Sequence, residues 1–166
     1  MNISLANKQA IICGASQGIG HATATTLANL GANTLLLARN EQKLQEIVRD
    51  LPQKSTQQHC YLVVDFSQPQ KMIESVRLFL KDKPVHILIN NCGGPKPGNL
   101  IAADIDDFDS AFTPHLKASH LLVQAVYSKM EKENYGRIIN VISTSVKQPI
   151  RGLGVSNTTR GAMASS

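Results

Sequence analysis

A chain of 166 residues with 17 Leu, 14 Ile, 10 Val and 4 Phe has the length of one domain and the side chains for one core, which excludes a disordered, charge-dominated protein. The formal charge of +5 sits late: no acid follows Glu133, while Arg137, Lys147, Arg151 and Arg160 do. That excess would suit a nucleic-acid partner, but with no RNA- or DNA-binding signature none is expected. No run of 18 apolar residues is present for a membrane span, and the N-terminal stretch does not read as a signal peptide. Three cysteines (Cys13, Cys60 and Cys92) form no CxxC pair, so the expectation is a reduced, cytoplasmic protein without a metal site.

Short apolar runs at 9–13, 33–38, 61–65, 85–90 and 137–142 read as parallel strands, since strands covered on both faces are nearly continuous in Ile, Leu and Val. The first is followed by a glycine turn and a helix over 21–30. A second helix, 41–51, sets Leu44, Ile47, Val48 and Leu51 on one face, with Asn40 placed to cap it. Residues 53–58 are polar and read as the loop entering the third strand. The next helix, 69–81, carries the stripe Met72, Val76, Phe79 and Leu80. Residues 93–98 (GGPKPG) are a loop. A long helical pattern then fills 105–132, in which Pro114 predicts a kink that frees a carbonyl around Ser110. Strand–helix alternation with right-handed crossovers predicts a Rossmann-type, doubly wound α/β sheet in one domain over 1–166. The fifth strand is expected to be a bare, association-prone edge and the domain to be C-terminally incomplete, because the ending RGAMASS reads as a helix cut in its second turn.

Chemistry concentrates at the C-terminal ends of the strands, where this architecture binds ligands. Directly after the first strand comes Gly14-Ala15-Ser16-Gln17-Gly18-Ile19-Gly20 and then a helix. Phosphate needs backbone N–H groups at close range and a helix N-terminus aimed at it, and glycines permit both the turn and the approach. The second strand ends Leu37-Ala38-Arg39-Asn40, with no acid before Glu41 to take a ribose 2′-hydroxyl. Arg39 instead offers a guanidinium fork for a 2′-phosphate, or else is a solvated surface charge. NADP(H) is therefore the expected cofactor, with NAD(H) the weaker alternative.

The GxxxGxG spacing, with the rest of the chain, resembles the short-chain dehydrogenase/reductase superfamily. The turn is similar to that family's TGxxxGIG, with Cys13 where Thr is usual. Asp65 resembles its adenine-contacting acid, though alone it reads equally as a strand-end carboxylate. Asn90-Asn91-Cys92-Gly93 resembles the NNAG motif, and residues 136–143 resemble the fifth strand with its catalytic serine, Ser143. The resemblance implies Gly14, Ser16, Gln17, Gly18, Ile19 and Gly20 on the pyrophosphate. It also puts Asn91 and Gly93 near the nicotinamide ribose and Ser143 on the substrate oxygen.

The family's proton-transfer set is Asn, Ser, Tyr and Lys, the last two spaced YxxxK. Counting 13 from Ser143 reaches Ser156, and four further reaches Arg160. The Asn position aligns with His115. Three of the four positions are thus changed, and the pattern resembles a divergent, 3-oxoacyl-carrier-protein-reductase-like subset with SNxxR. Serine is shorter and far less acidic than tyrosine, and a guanidinium cannot relay a proton. His115 is expected either to supply the proton, titrating near neutrality, or to be a packing histidine. The reading is an NADP(H)-dependent oxidoreductase acting on a small carbonyl or alcohol, a 3-oxoacyl compound included, and assembled as a homodimer or homotetramer. Its rival is a nucleotide-binding sensor or scaffold without turnover.

Overall fold

The computed structural model of the chain describes residues 3–54 and 56–166; Met1, Asn2 and Ser55, the last within the expected 53–58 loop, lie outside the described residues. Five strands, β1 (Gln9–Cys13), β2 (Asn33–Ala38), β3 (His59–Val63), β4 (Ile87–Asn90) and β5 (Arg137–Asn140), form one parallel sheet in the order β3-β2-β1-β4-β5. The helices between them are α1 (Gly18–Asn29), α2 (Glu41–Asp50), α3 (Pro69–Leu80), α4 (Ile105–Phe112) and α5 (Ala118–Lys132), and α6 (Gly154–Ala164) follows β5. This is the Rossmann-type α/β fold.

The central strands β1, β2 and β4 are apolar on both faces because both are covered. Successive side chains point to opposite sides of a sheet. Ile11, Leu35, Leu37 and Leu88 pack against Met72 and Val76 of α3 and Leu122 and Val126 of α5. Their neighbours Ala10, Ile12, Leu36 and Ile89 pack against Ala24 and Ala28 of α1 and Leu44 and Ile47 of α2. β5 forms one edge of the sheet, with Ile138 and Ile139 exposed. Among the described residues, no helix is long and apolar enough to cross a membrane.

Strand β3 starts two residues earlier than the sequence predicts and ends at Val63. It pairs from Thr34↔His59, where Thr34 Oγ1 lies 2.9 Å from His59 Nδ1. It stops short because Asp65 opens a turn, accepting the Ser67 amide on its carboxylate and the Gln68 amide on its carbonyl. Strands β4 and β5 are likewise trimmed to four residues each, and α1 begins at Gly18, inside the glycine turn. The loop before β3 does more than connect. Gln57 is buried and its Nε2 donates to the carbonyls of Ala28 and Ala32, which satisfies the C-terminal end of α1.

The long helix is interrupted where Pro114 predicts it. Proline has no N–H for the Ser110 carbonyl, and residues Thr113–Lys117 form a π turn in which the Ala118 amide reaches the Thr113 carbonyl, five residues back. The glycine-rich loop after β4 is pinned as well. Gly98 N–H donates to Gly152 O (2.6 Å) and Gly154 N–H donates to Gly98 O (3.0 Å), joining this loop to the segment before α6.

The order of the strands fixes the place of a ligand. The chain builds β2 and β3 on one side of β1 and then crosses to lay β4 and β5 on the other. The crevice at the C-terminal ends of β1 and β4 is the switch point at which such sheets bind nucleotides.

Candidate active site

A cleft of about 670 Å³ opens there. Its floor is the glycine turn, and two of the glycines leave no room for another residue. A Cβ on Gly14, whose φ is +60°, would meet Asn91 O at 2.7 Å and Asn91 Nδ2 at 2.8 Å. A Cβ on Gly20 would run into the Gly14 carbonyl. The two strand ends are held at this spacing by Asn91 Nδ2, which donates to Cys13 O (3.2 Å). Gly18 (φ +56°) faces open space, and α1 behind it has no side-chain cap and no acid in its first turn. Its leading amides are thus open to an anion. Gly14, Ser16, Gln17, Gly18 and Ile19 line the cleft, with Gly20 buried beneath them.

At the far end of the cleft lie Ala38, Arg39, Asn40 and Lys43 beside Asp65, Phe66 and Ser67. Asn40 Oδ1 accepts the Lys43 amide (3.0 Å), so the cap of α2 also sets Lys43 next to Arg39. Lys43 was not singled out from sequence; its signal is its place in the first turn of the helix that follows β2. The Ser67 amide and hydroxyl, and after them the Arg39 charge, hold Asp65 below the usual carboxylate range, against partial desolvation. A nicotinamide dinucleotide fits what is present: an uncapped helix start over the glycine turn, with Arg39 and Lys43 at the opposite end of the cleft.

The other end is built from β4 and the π turn. Asn91, Cys92, Gly93, Gly94, Ser110, Pro114 and His115 line it. Cys92 Sγ lies 2.8 Å from His115 Nδ1. His115 is only 2% exposed. Burial, and then the Arg160 charge, push the ring down to about 4, against a hydrogen bond that the ring donates to the Gly93 backbone carbonyl. Burial raises the Cys92 thiol to about 11, with Arg160 opposing. Both groups are therefore neutral at pH 7. This corrects the expectation that His115 titrates near neutrality: the π turn buries the ring beside a cation. Cys13 is buried behind, and its thiol is raised further.

The remaining predicted residues are not brought to the cleft wall. Ser143 caps the turn Thr144–Val146, its Oγ accepting the Ser145 amide (3.1 Å), which leaves its O–H free to donate. Ser156 is buried at 8% exposure on α6 and does not line the cleft. Arg160 donates from Nη1 to Val141 O (2.8 Å) and approaches the cleft only behind Gly94, where an added Cβ would lie 3.8 Å from Nη2. Asn157, between the two altered positions, grips Ile150 through both its N–H (3.3 Å) and its carbonyl (2.9 Å). It fixes the loop before α6, a role the SNxxR pattern alone does not disclose.

One consequence is measurable as stability. Above pH 6.5 His115 is neutral folded and unfolded alike. Between pH 6.5 and about 4 the unfolded chain takes up a proton that the folded site refuses, so stability falls with falling pH, by about 3 kcal/mol in all. His86 acts in the same direction: it is buried, its Nδ1 accepts the Gln9 amide (2.9 Å), and desolvation lowers its pKa. Denaturant melts of His115→Gln are expected to lose most of the slope between pH 6 and 4.5. An unchanged slope would show that His115 does not carry it.

Residues 8–165 match the family model described as short chain dehydrogenase. The human inactive hydroxysteroid dehydrogenase-like protein 1 is 34% identical over 142 residues, 84% of this chain and 43% of that protein. The 3-oxoacyl-(acyl-carrier-protein) reductase of Rickettsia bellii is 34% identical over 141 residues, 85% of this chain and 56% of its own. The chain thus spans about half the length of these relatives. Among solved structures, L-sorbose reductase from Gluconobacter frateurii, complexed with NADPH and L-sorbose, superposes with a TM-score of 0.88 at 28% identity, over 98% of this chain and 62% of that one. With the parallel sheet, the switch-point cleft and the glycine turn already in place, these likenesses show that the chain belongs to the short-chain dehydrogenase family.

Proposed function

We propose that this chain binds NADP(H) in the cleft and belongs to a cytoplasmic oxidoreductase that reduces a small carbonyl compound or oxidises the corresponding alcohol. The observation that carries the reading is the cleft itself: an anion-binding glycine turn at one end of β1 and the Arg39–Lys43 pair at the end of β2. The bound nicotinamide supplies a hydride. The residues of the chain hold and orient. Amides of the turn from Gly14 to Gly20, with Ser16, Gln17, Gly18 and Ile19 around them, receive the pyrophosphate. Arg39 and Lys43 receive the 2′-phosphate, and Asp65 faces the adenine. Asn91 and Gly93 stand beside the nicotinamide ribose. The free O–H of Ser143 donates to the substrate oxygen, and the fixed charge of Arg160 favours negative charge developing there. Ser156 holds the tyrosine's position in sequence but not its reach. His115, neutral and buried, positions the β4 loop.

The substrate class in view is a 3-oxoacyl-like or ketose carbonyl, supported by the likeness to a 3-oxoacyl-(acyl-carrier-protein) reductase and to L-sorbose reductase. Partners are expected to be that small molecule and further copies of the chain, as a dimer or tetramer, rather than nucleic acid. A second reading, nucleotide binding without turnover, is favoured by the burial of Ser156 away from the cleft and by the inactive human relative. NADPH oxidation by the full-length protein against a panel of 3-oxoacyl thioesters, ketoses and simple ketones separates the two. Turnover with any member supports the reductase. Tight NADPH binding with no turnover across the panel would favour the sensor.

A further inference from the structure

The cleft holds a pair of groups that none of the nucleotide-binding roles uses. Cys92, just past β4, and His115, in the π turn, are 23 residues apart in sequence, yet both line the cleft with Sγ and Nδ1 2.8 Å apart. We propose that the Cys92 thiol, oriented by His115, is the proton donor to the substrate oxygen, in the place left by the missing tyrosine. This rests on the reductase reading above.

A donor must line the cleft, carry a hydrogen it can lose, and be more acidic than the alcohol being formed. Arg160 never gives up its proton. Ser156 does not line the cleft, and the hydroxyl of either serine, Ser156 or Ser143, is no more acidic than the alcohol product, so Ser143 can hydrogen-bond the substrate oxygen but not give up its proton to it. His115 is uncharged at working pH, and a neutral imidazole is a poor acid. The Cys92 thiol meets all three conditions: at about 11 it lies close to a phenol, whose ordinary value is near 10.

The step balances. As the carbonyl carbon gains its hydride, the carbonyl oxygen takes the Cys92 proton; the S–H bond breaks, an O–H bond forms, and the electron pair stays on sulfur. The step requires the tautomer with its hydrogen on Nδ1: the imidazole then donates to Sγ, which leaves the S–H for the substrate, and afterwards steadies the thiolate. Water in the open cleft returns the proton. Alcohol oxidation runs the same path backwards. The charged group that acts on the pair is Arg160 from α6, which favours the thiolate; Cys13 from β1 lies behind, and a thiolate at Cys92 keeps it the more firmly protonated. His115 is a positioning residue in this scheme, and Cys92 the catalytic one.

The test uses the full-length protein in two measurements. In the first, Cys92→Ser and Cys92→Ala are each expected to lower the maximal rate of carbonyl reduction about 100-fold, the usual scale for a lost general acid, while NADPH binding stays within threefold. In the second, without cofactor, alkylation of Cys92 by iodoacetamide is followed against pH by peptide mass spectrometry. His115→Leu is expected to move the midpoint upward by about one pH unit, and His115→Asn, whose amide donates from nearly the same point, to restore it. If the unmodified protein reduces carbonyls and Cys92→Ser runs at its rate, the donor assignment falls alone. An alkylation midpoint unmoved by His115→Leu overturns the pairing even where a variant folds poorly. If the unmodified protein binds NADPH and reduces nothing, the reductase reading falls and the donor role with it.

Discussion

Gly20→Ala is expected to abolish nucleotide binding and to lower the melting temperature by roughly 6–12 °C, the equivalent of about 3 kcal/mol in a domain of this size. The cause is local. The new methyl would overlap the Gly14 carbonyl and come within 3.0 Å of Asn91 Nδ2. Neither neighbour is free to give way: Gly14 follows directly on a central strand, and Asn91 is tied to Cys13 O across the strand ends. Relief requires the glycine turn to lift from the sheet, and that turn is what presents amides to the phosphates. The comparison that isolates the mechanism is Gly161→Ala, in α6, where an added Cβ meets nothing within 4 Å. That change is expected to leave NADPH binding intact and to stabilise slightly, as alanine generally does in a helix. Thermal melts and NADPH titrations of both variants check the contrast. Near-normal binding by Gly20→Ala would mean that the turn does not carry the cofactor.

Arg39→Asp is expected to weaken NADPH binding by at least tenfold and to improve NADH binding. A charge-assisted contact to phosphate is worth about 1.5–3 kcal/mol, which is roughly one to two orders of magnitude in affinity. The substitution also puts a second carboxylate near Asp65, which Arg39 now helps to keep ionised. Like charges facing a 2′-phosphate repel it, whereas a ribose 2′-hydroxyl donates to them. Lys43 remains in place, so the loss is not total, and Lys43→Ala is expected to produce a smaller loss of the same sign. Fluorescence titration with both nucleotides reads all three proteins. Equal affinity of the unmodified protein for NADPH and NADH would remove the basis of the preference.

The sheet was legible because each central strand is covered on both faces, so Ile11-Ile12 and Leu35-Leu36-Leu37 read as unbroken apolar runs. Where a strand hands over to a turn, as at Asp65, side-chain hydrogen bonding decides the boundary and apolar patterning is blind to it. Pro114 announced its own disturbance, since a missing N–H is a property of the residue itself. The partner of His115 was not readable. Nothing in the sequence says that residue 92 faces residue 115, and the burial that neutralises the ring is a product of packing. Gln57 and Asn157 were missed for a related reason: a polar residue in a polar stretch gives no sign that its amide closes a helix end or grips a loop.

On the proposed function, a nicotinamide dinucleotide held in this cleft is expected to give its hydride to a carbonyl despite the altered Ser156 and Arg160. The most direct measurement is isotope transfer: the full-length protein is incubated with NADPH deuterated at the transferable C4 position and with the carbonyl panel, and the alcohol products are examined by mass spectrometry. The expected result is one deuterium on the carbinol carbon of at least one product, formed faster with NADPH than with NADH and lost in Gly20→Ala. NADPH bound in a one-to-one complex, with no deuterium in any product, would contradict it.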